Sequence, residues 1–170
     1  KQTPKQSNSR YHRHFKEAFI RPGLGPSGWG NRANYITLNA VQTSPTEMSM
    51  FMYGGGHYVL RLDGFISVNA GFEKGEFLTK PLKFSGTRLE FNYSTSGAGQ
   101  IRVELQNTTG QPIPGYALED CDPIKGDAIA GHATWKENSN LSSLAGKPIR
   151  LRFVMNEADL YSIRFTPEKH

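Results

Sequence analysis

Apolar and polar residues alternate with a period of two along most of the chain beyond residue 47. EMSMFMY at 47–53 places Met48, Met50 and Met52 on one side. RLEFNY at 88–93 sets Leu89, Phe91 and Tyr93 against Arg88, Glu90 and Asn92. IRVELQ at 101–106 sets Ile101, Val103 and Leu105 against Arg102, Glu104 and Gln106. IRLRFVM at 149–155 aligns Ile149, Leu151, Phe153 and Met155, and LYSIRF at 160–165 aligns Tyr161, Ile163 and Phe165. Successive side chains of a strand point to opposite faces, so the pattern predicts strands with one buried and one wet face. YVLRL at 58–62 and FISVN at 65–69 flank Asp63-Gly64, the signal of a two-residue hairpin. GGG at 54–56 predicts a tight connection. Further turns are predicted at Ser96-Gly97, Thr109-Gly110, Pro114-Gly115 and Gly146-Lys147-Pro148. LSSLAG at 141–146 reads as one helical turn stopped by glycine. HATW places Trp135 in the core.

About nine or ten strands joined in this way give the fold class: all-β, an antiparallel β-sandwich, jelly-roll-like. The predicted interior is Leu89, Phe91, Ile101, Val103, Leu105, Leu151, Phe153, Ile163 and Phe165, with Tyr161 also in the core. Glu90 and Glu104 fall on outward positions and read as solvated surface. Residues 1–14 read as a basic flexible arm and residues 15–170 as a single β-sandwich domain. FKEAFI at 15–20 fits one helical turn or the start of a strand. The stretch 21–34, RPGLGPSGWGNRAN, reads as a long loop with four glycines and two prolines, a length that in a compact domain is usually functional or disordered.

Composition agrees with strands and turns: 18 Gly and 10 Pro accompany 10 Phe and 7 Tyr in 170 residues. No apolar run approaches the ~20 residues of a membrane-spanning helix, and no membrane partner is expected. The chain starts at Lys1, the start expected of a processed or excised piece. The net charge of +5 is uneven. Lys1, Lys5, Arg10, Arg13 and Lys16 precede the first acid, Glu17, and the remaining fifteen cations match fifteen acids. The body carries no basic stripe, which argues against nucleic acid as its partner. A basic arm can bind nucleic acid, an anionic polysaccharide or a membrane surface, and the competing reading is a solvated tail.

Cys121 is the one cysteine, so neither an intrachain disulfide nor a zinc site of paired cysteines can form. No histidine is tied to it by local spacing, and it reads as a small packed residue. Glu119, Asp120, Asp122 and Asp127 form the one dense acid cluster. Oxygen ligands on a loop suit a hard cation, which makes Asp120, Asp122 and Asp127 candidate calcium ligands. The competing reading is that they cap turns around Pro123 and Gly126.

Sugar recognition needs aromatic faces for the C–H side of a pyranose and planar polar groups for hydroxyl pairs. Trp29, Arg32, Asn34 and Tyr35 bring that mixture to the long loop, and Tyr53, His57 and Tyr58 surround the glycine turn. These seven are the candidate carbohydrate-binding residues. No Ser-His-Asp arrangement is visible, and the glycines of YGGGHY lack the Lys-Ser/Thr of a phosphate loop.

From Arg61 to Phe165 the series RLDGFISVNAG, GEFLTKPLKFSG, LEFNYSTSGAGQIRVEL, GQPIPGYALEDCDPIKGD and LAGKPIRLRFVMNEADLYSIRF resembles a known domain. It looks like the C-terminal β-sandwich of large secreted planctomycete-type proteins grouped with the glycoside hydrolases. In those proteins a five-bladed propeller, similar to invertase and arabinanase propellers, precedes the sandwich. The likeness is looser through FIRPGLGPSGWGNRANY and EMSMFMY. The propeller and its catalytic carboxylates are absent here. A longer connection before the RLDGF strand is also replaced by Gly54-Gly55-Gly56-His57-Tyr58. The resemblance implies a sugar-related setting without making the chain itself a hydrolase, and the reading is a non-catalytic accessory module, extracellular or periplasmic, with a polysaccharide as partner; charge-assisted bonds from Arg32 would favour an acidic or sulfated one. The alternative is a structural subunit of a filament, surface layer or capsid-like shell. Its basic arm would be ordered by a neighbour, giving a homo-oligomer, or by nucleic acid.

Overall fold

The computed structural model describes residues 18–21, 36–37, 39–53 and 56–167. They form an all-β fold of two antiparallel sheets, as the alternation predicts. The strands are β1 (Val41–Gln42), β2 (Glu47–Phe51), β3 (His57–Arg61), β4 (Val68–Ala70), β5 (Gly75–Leu78), β6 (Arg88–Gln106), β7 (Asp127–His132) and β8 (Arg150–Thr166). One sheet has the order β1-β2-β3; the other runs β4-β8-β6-β7, with β5 also paired to β8. Contacts divide the chain into two compact units. One is Lys1–Asn39 with Met50–Tyr58; the other is Ala40–Ser49 with Val59–His170.

The larger unit is organised by β6 and β8. RLEFNY and IRVELQ are halves of one strand, as are IRLRFVM and LYSIRF, instead of the four strands their separation suggests. Ser96-Gly97 accordingly lies inside β6 and is no turn between strands. The two long strands pair from Arg88↔Thr166 to Gln106↔Arg150, with two irregularities. At the first, Asn92 faces Ser162 and Tyr93 faces Leu160, which leaves Tyr161 as the extra residue of a bulge. At the second, Thr95 faces Ala158 while Gln100 faces Asn156. Glu157 sits there at φ 42° and accepts a 2.8 Å hydrogen bond from the Ser96 hydroxyl. Gly99 is required at this point, because a Cβ would lie 2.2 Å from the Glu157 carbonyl oxygen.

These bulges reset the inward phase. Leu151, Phe153 and Met155 point in, then Ala158 and Leu160, and beyond Tyr161 the half-buried Ile163 and Phe165 pack on the core. Tyr161 therefore leaves the core position expected for it and is only half-buried. The ribbon curls so that its halves face each other, and Leu89, Phe91, Ile101, Val103, Leu105, Leu151 and Phe153 are all buried between them. Trp135 closes the core, its indole N–H donating to the Val103 carbonyl at 3.0 Å. The turn at Ser142–Leu144 forms a short 3-10 helix, and Gly146 follows at φ 75°.

Two further expectations fail for identifiable reasons. Asp63-Gly64 makes a turn, with Asp63 at φ 55° and the Gly64 N–H bonded to the Arg61 carbonyl at 2.8 Å. It does not make a hairpin: β3 belongs to the sheet of β1 and β2, whereas β4 pairs with β8. Glu90 and Glu104 are 8% and 3% exposed, not solvated. Cross-strand arginines and the segment after β6 cover them. Glu90 accepts from Arg164 Nε at 2.8 Å and from the Thr166 hydroxyl at 2.9 Å. Glu104 accepts from Gln106 Nε2 at 2.7 Å and from the Leu118 N–H at 3.2 Å, with Arg152 3.7 Å away.

Candidate functional site

Of the seven residues expected to bind sugar, Trp29, Arg32, Asn34 and Tyr35 lie outside the described residues. Tyr53, His57 and Tyr58 lie on the connection from β2 to β3 and at the start of β3. The Met52 N–H donates to the Gly56 carbonyl at 2.7 Å, which brings the two strands together. Across this turn the His57 ring stacks on Phe51, 4.8 Å between centroids and 8° between planes. Phe51 was not among the expected residues. Its signal was its place at the end of β2, a short step along the chain from the histidine it stacks on. Tyr53 is 86% exposed, Tyr58 40% and Phe51 45%. The hairpin thus presents a set of aromatic faces to solvent.

The acid cluster resolves into three separate engagements. Asp120 pairs with Lys136 at 2.5 Å. Asp122 accepts from the Thr134 hydroxyl at 2.6 Å and from the Glu137 N–H at 3.0 Å. These two bonds, with Arg102 nearby, hold its carboxyl below the usual range. Asp127 takes Arg61 at 2.5 Å. Among the described residues no group of three or more His, Cys, Asp or Glu gathers in a way that could hold a metal ion. The turn-capping and ion-pairing roles are what the geometry displays. Cys121 is 1% exposed, and burial pushes its thiol up to about 11, as a packed residue requires.

Sequence reasoning passed over Arg61. Its Nε donates to Asn92 Oδ1 at 2.6 Å, and a terminal nitrogen donates to Asp127. The other terminal nitrogen donates to the carbonyls of Tyr93 at 2.9 Å and Ala128 at 2.8 Å. The guanidinium also lies 4.9 Å from the Tyr161 ring centroid, a cation–π contact with the bulge residue. Asn92 returns a bond from Nδ2 to the Leu62 carbonyl at 2.6 Å. The Ala128 carbonyl adjoins a second bulge, where the β6–β7 register shifts between Phe91↔Gly131 and Tyr93↔Ala128. Arg61 therefore fastens β3 to the five-stranded sheet and satisfies an acceptor at that irregularity.

Beside it an open groove of about 610 Å³ is lined by Thr46 and Glu47, by residues 59–61 of β3 and by residues 127–129 of β7. The groove joins two carboxylates, a threonine hydroxyl and the apolar surfaces of Val59 and Ile129. Four of the N–H groups of Arg61 are already committed to the protein.

No family model matches the chain, and no curated protein or solved structure matches it.

Proposed function

We infer that this chain is a non-catalytic carbohydrate-associated β-sandwich module, working outside the cytoplasm on a polysaccharide. The observation that carries the reading is the β2–β3 hairpin, where Phe51, Tyr53, His57 and Tyr58 offer rings to solvent within eight residues of chain. Exposed aromatic faces suit the C–H side of a sugar ring, and the histidine adds a polar edge for hydroxyls. Arg32 and Asn34, upstream in the sequence, are of the side-chain types that favour an acidic or sulfated glycan. An open platform buries little of a flexible ligand, so the affinity is on the order of micromolar to millimolar.

Affinity electrophoresis through gels containing sulfated, uronic-acid and neutral polysaccharides tests this. Retardation by an acidic glycan is expected, and Tyr53→Ala should abolish it with the melting temperature unchanged, because Tyr53 is 86% exposed. If no glycan retards the parent protein, and light scattering finds rings, shells or fibres, a structural subunit is the correct reading.

A further inference from the structure

Residues 41–49 and 59–62 are the part of the β1–β3 region that belongs to the larger unit. Among the described residues, none of these builds the buried apolar core or packs against it. They are tied to one another instead. Val41 faces Ser49 in the β1–β2 ladder, the Thr43 N–H donates to the Glu47 carbonyl at 3.1 Å, and the Leu62 N–H donates to the Thr46 carbonyl at 2.8 Å. Arg61 makes the junction with the five-stranded sheet. Its guanidinium reaches Asn92, Asp127 and the carbonyls of Tyr93 and Ala128, and Asn92 returns a bond to the Leu62 carbonyl. These partners gather at the β6–β7 bulge, where residues 129 and 130 stand opposite Asn92 alone.

A polar junction of this kind opens at lower cost than an apolar core. Parted hydrogen-bonding groups regain bonds to water, whereas uncovered apolar side chains regain nothing. Water is at hand. The open groove lined by residues 46–47, 59–61 and 127–129 runs beside the guanidinium, and the Asp127 side chain is 67% exposed. Short strands parted from the sheet that supports them do not hold, so release means local unfolding.

We propose that residues 41–49 and 59–62 form a strap that opens by local unfolding as one piece, with Arg61 as its catch. The core around Phe91, Val103 and Phe153 stays packed while it does so. Opening withdraws the guanidinium from the bulge. It bares Asn92, which is 2% exposed when the strap is shut, together with the carbonyls of Tyr93 and Ala128. The device is independent of glycan binding.

Residue-resolved amide hydrogen exchange on the full chain tests this. The probes are Leu62 in the strap and, in β6, Ile101 and Leu105, whose N–H groups are bonded at 2.9 and 3.0 Å. In the parent protein Leu62 should exchange at least about a hundredfold faster than the β6 pair, and low urea should speed the pair alone. Phe153→Leu weakens the core in the shut and open states alike. It should speed Ile101 and Leu105 by at least about tenfold and leave Leu62 within about twofold. Arg61→Lys keeps the charge and loses the planar fork, so it should speed Leu62 by at least about tenfold. Acceleration of all three probes by Phe153→Leu would show one cooperative unit and overturn the proposal. Exchange of Leu62 as slow as that of Leu105 would do the same, as would unaltered exchange of Leu62 in Arg61→Lys. An Arg61→Lys chain that fails to fold would also overturn it, because the core would then depend on the catch.

Discussion

The ring of Phe91 meets the ring of Phe153 edge-on, 5.9 Å between centroids and 82° between planes. Phe91 pairs across the ladder with Ile163, and Phe153 with Val103, so the two rings come from opposite halves of the β6–β8 ribbon. Their contact marks the place where the ribbon closes on itself. Phe77 stacks on the same Phe153 ring at 4.7 Å, adding β5 to the closure.

Phe153→Ala removes the ring that all three elements share. Its side chain is fully buried, so the expected loss is ~3–5 kcal/mol in urea unfolding. A loss below about 1 kcal/mol would mean that the halves close without it.

Gly131 lies under the Tyr93 ring: a Cβ there would sit 2.5 Å from Tyr93 Cε1. Gly131→Ala should cost ~1–3 kcal/mol, as overpacking does. Adding Tyr93→Ala removes the obstacle, so the double variant should be less destabilised than the sum of the single ones. A double-mutant cycle that returns no coupling would refute the close approach.

Asp122 has a lowered pKa, so its carboxyl holds its proton less firmly in the folded chain than in the unfolded one. Its contribution to stability is whole above the unfolded value of about 3.9 and is lost as pH falls through the folded value below it. Asp122→Ala should lower the melting temperature at neutral pH. The gap from the parent protein should narrow as the pH drops below about 4. A gap constant across that range would assign the stabilisation to uncharged contacts.

EGTA should leave the melting temperature unchanged, since Asp120, Asp122 and Asp127 are engaged by Lys136, by Thr134 with Glu137, and by Arg61. A calcium-dependent shift would instead show that these carboxylates regroup around an ion.

Cys121 should resist a thiol reagent at neutral pH. Its thiol is buried and its pKa stands near 11, so little thiolate exists and access is blocked. Rapid labelling is expected only in denaturant. Fast stoichiometric labelling of the native protein would contradict the burial.

The alternation of apolar residues was enough to find β2, β3, β6 and β8 and most of the inward positions of the two long strands, because one buried and one wet face leave a direct trace in composition; the short β1, β5 and β7 carry no such trace and were not found. It could not find the bulge at Tyr161, since a single extra residue shifts the phase without changing the local pattern. The joining of separate runs into β6 and β8 was hidden for the same reason: Ser96-Gly97 carries turn chemistry, yet it lies in a strand bent against Glu157. The burial of Glu104 depends on Leu118 and Arg152, and the role of Arg61 on Asn92 and residues 127–128; none of these is near in sequence. Of the candidate site, the aromatic hairpin was legible from the residues around GGG. The groove lined by Glu47, Val59 and Asp127 was not, because these residues are far apart in sequence.

The place of β8 in its sheet bears on the order in which the chain is made. β8 is the last strand among the described residues, yet β4, β5 and β6 all pair with it. Leu89, Phe91 and Val103 leave the ribosome well before Ile163, Phe165 and Phe153, the residues they face across the ladder. Until then these apolar side chains and ladder edges lack their partners, the state in which nascent β-chains aggregate or recruit chaperones. Pairing then joins segments far apart in sequence, which makes folding slow for the size of the chain. A chain cut before residue 150 loses the strand that three others share, and loss of its last 21 residues should abolish the fold of the larger unit, whereas most of its apolar surface would already have been synthesised.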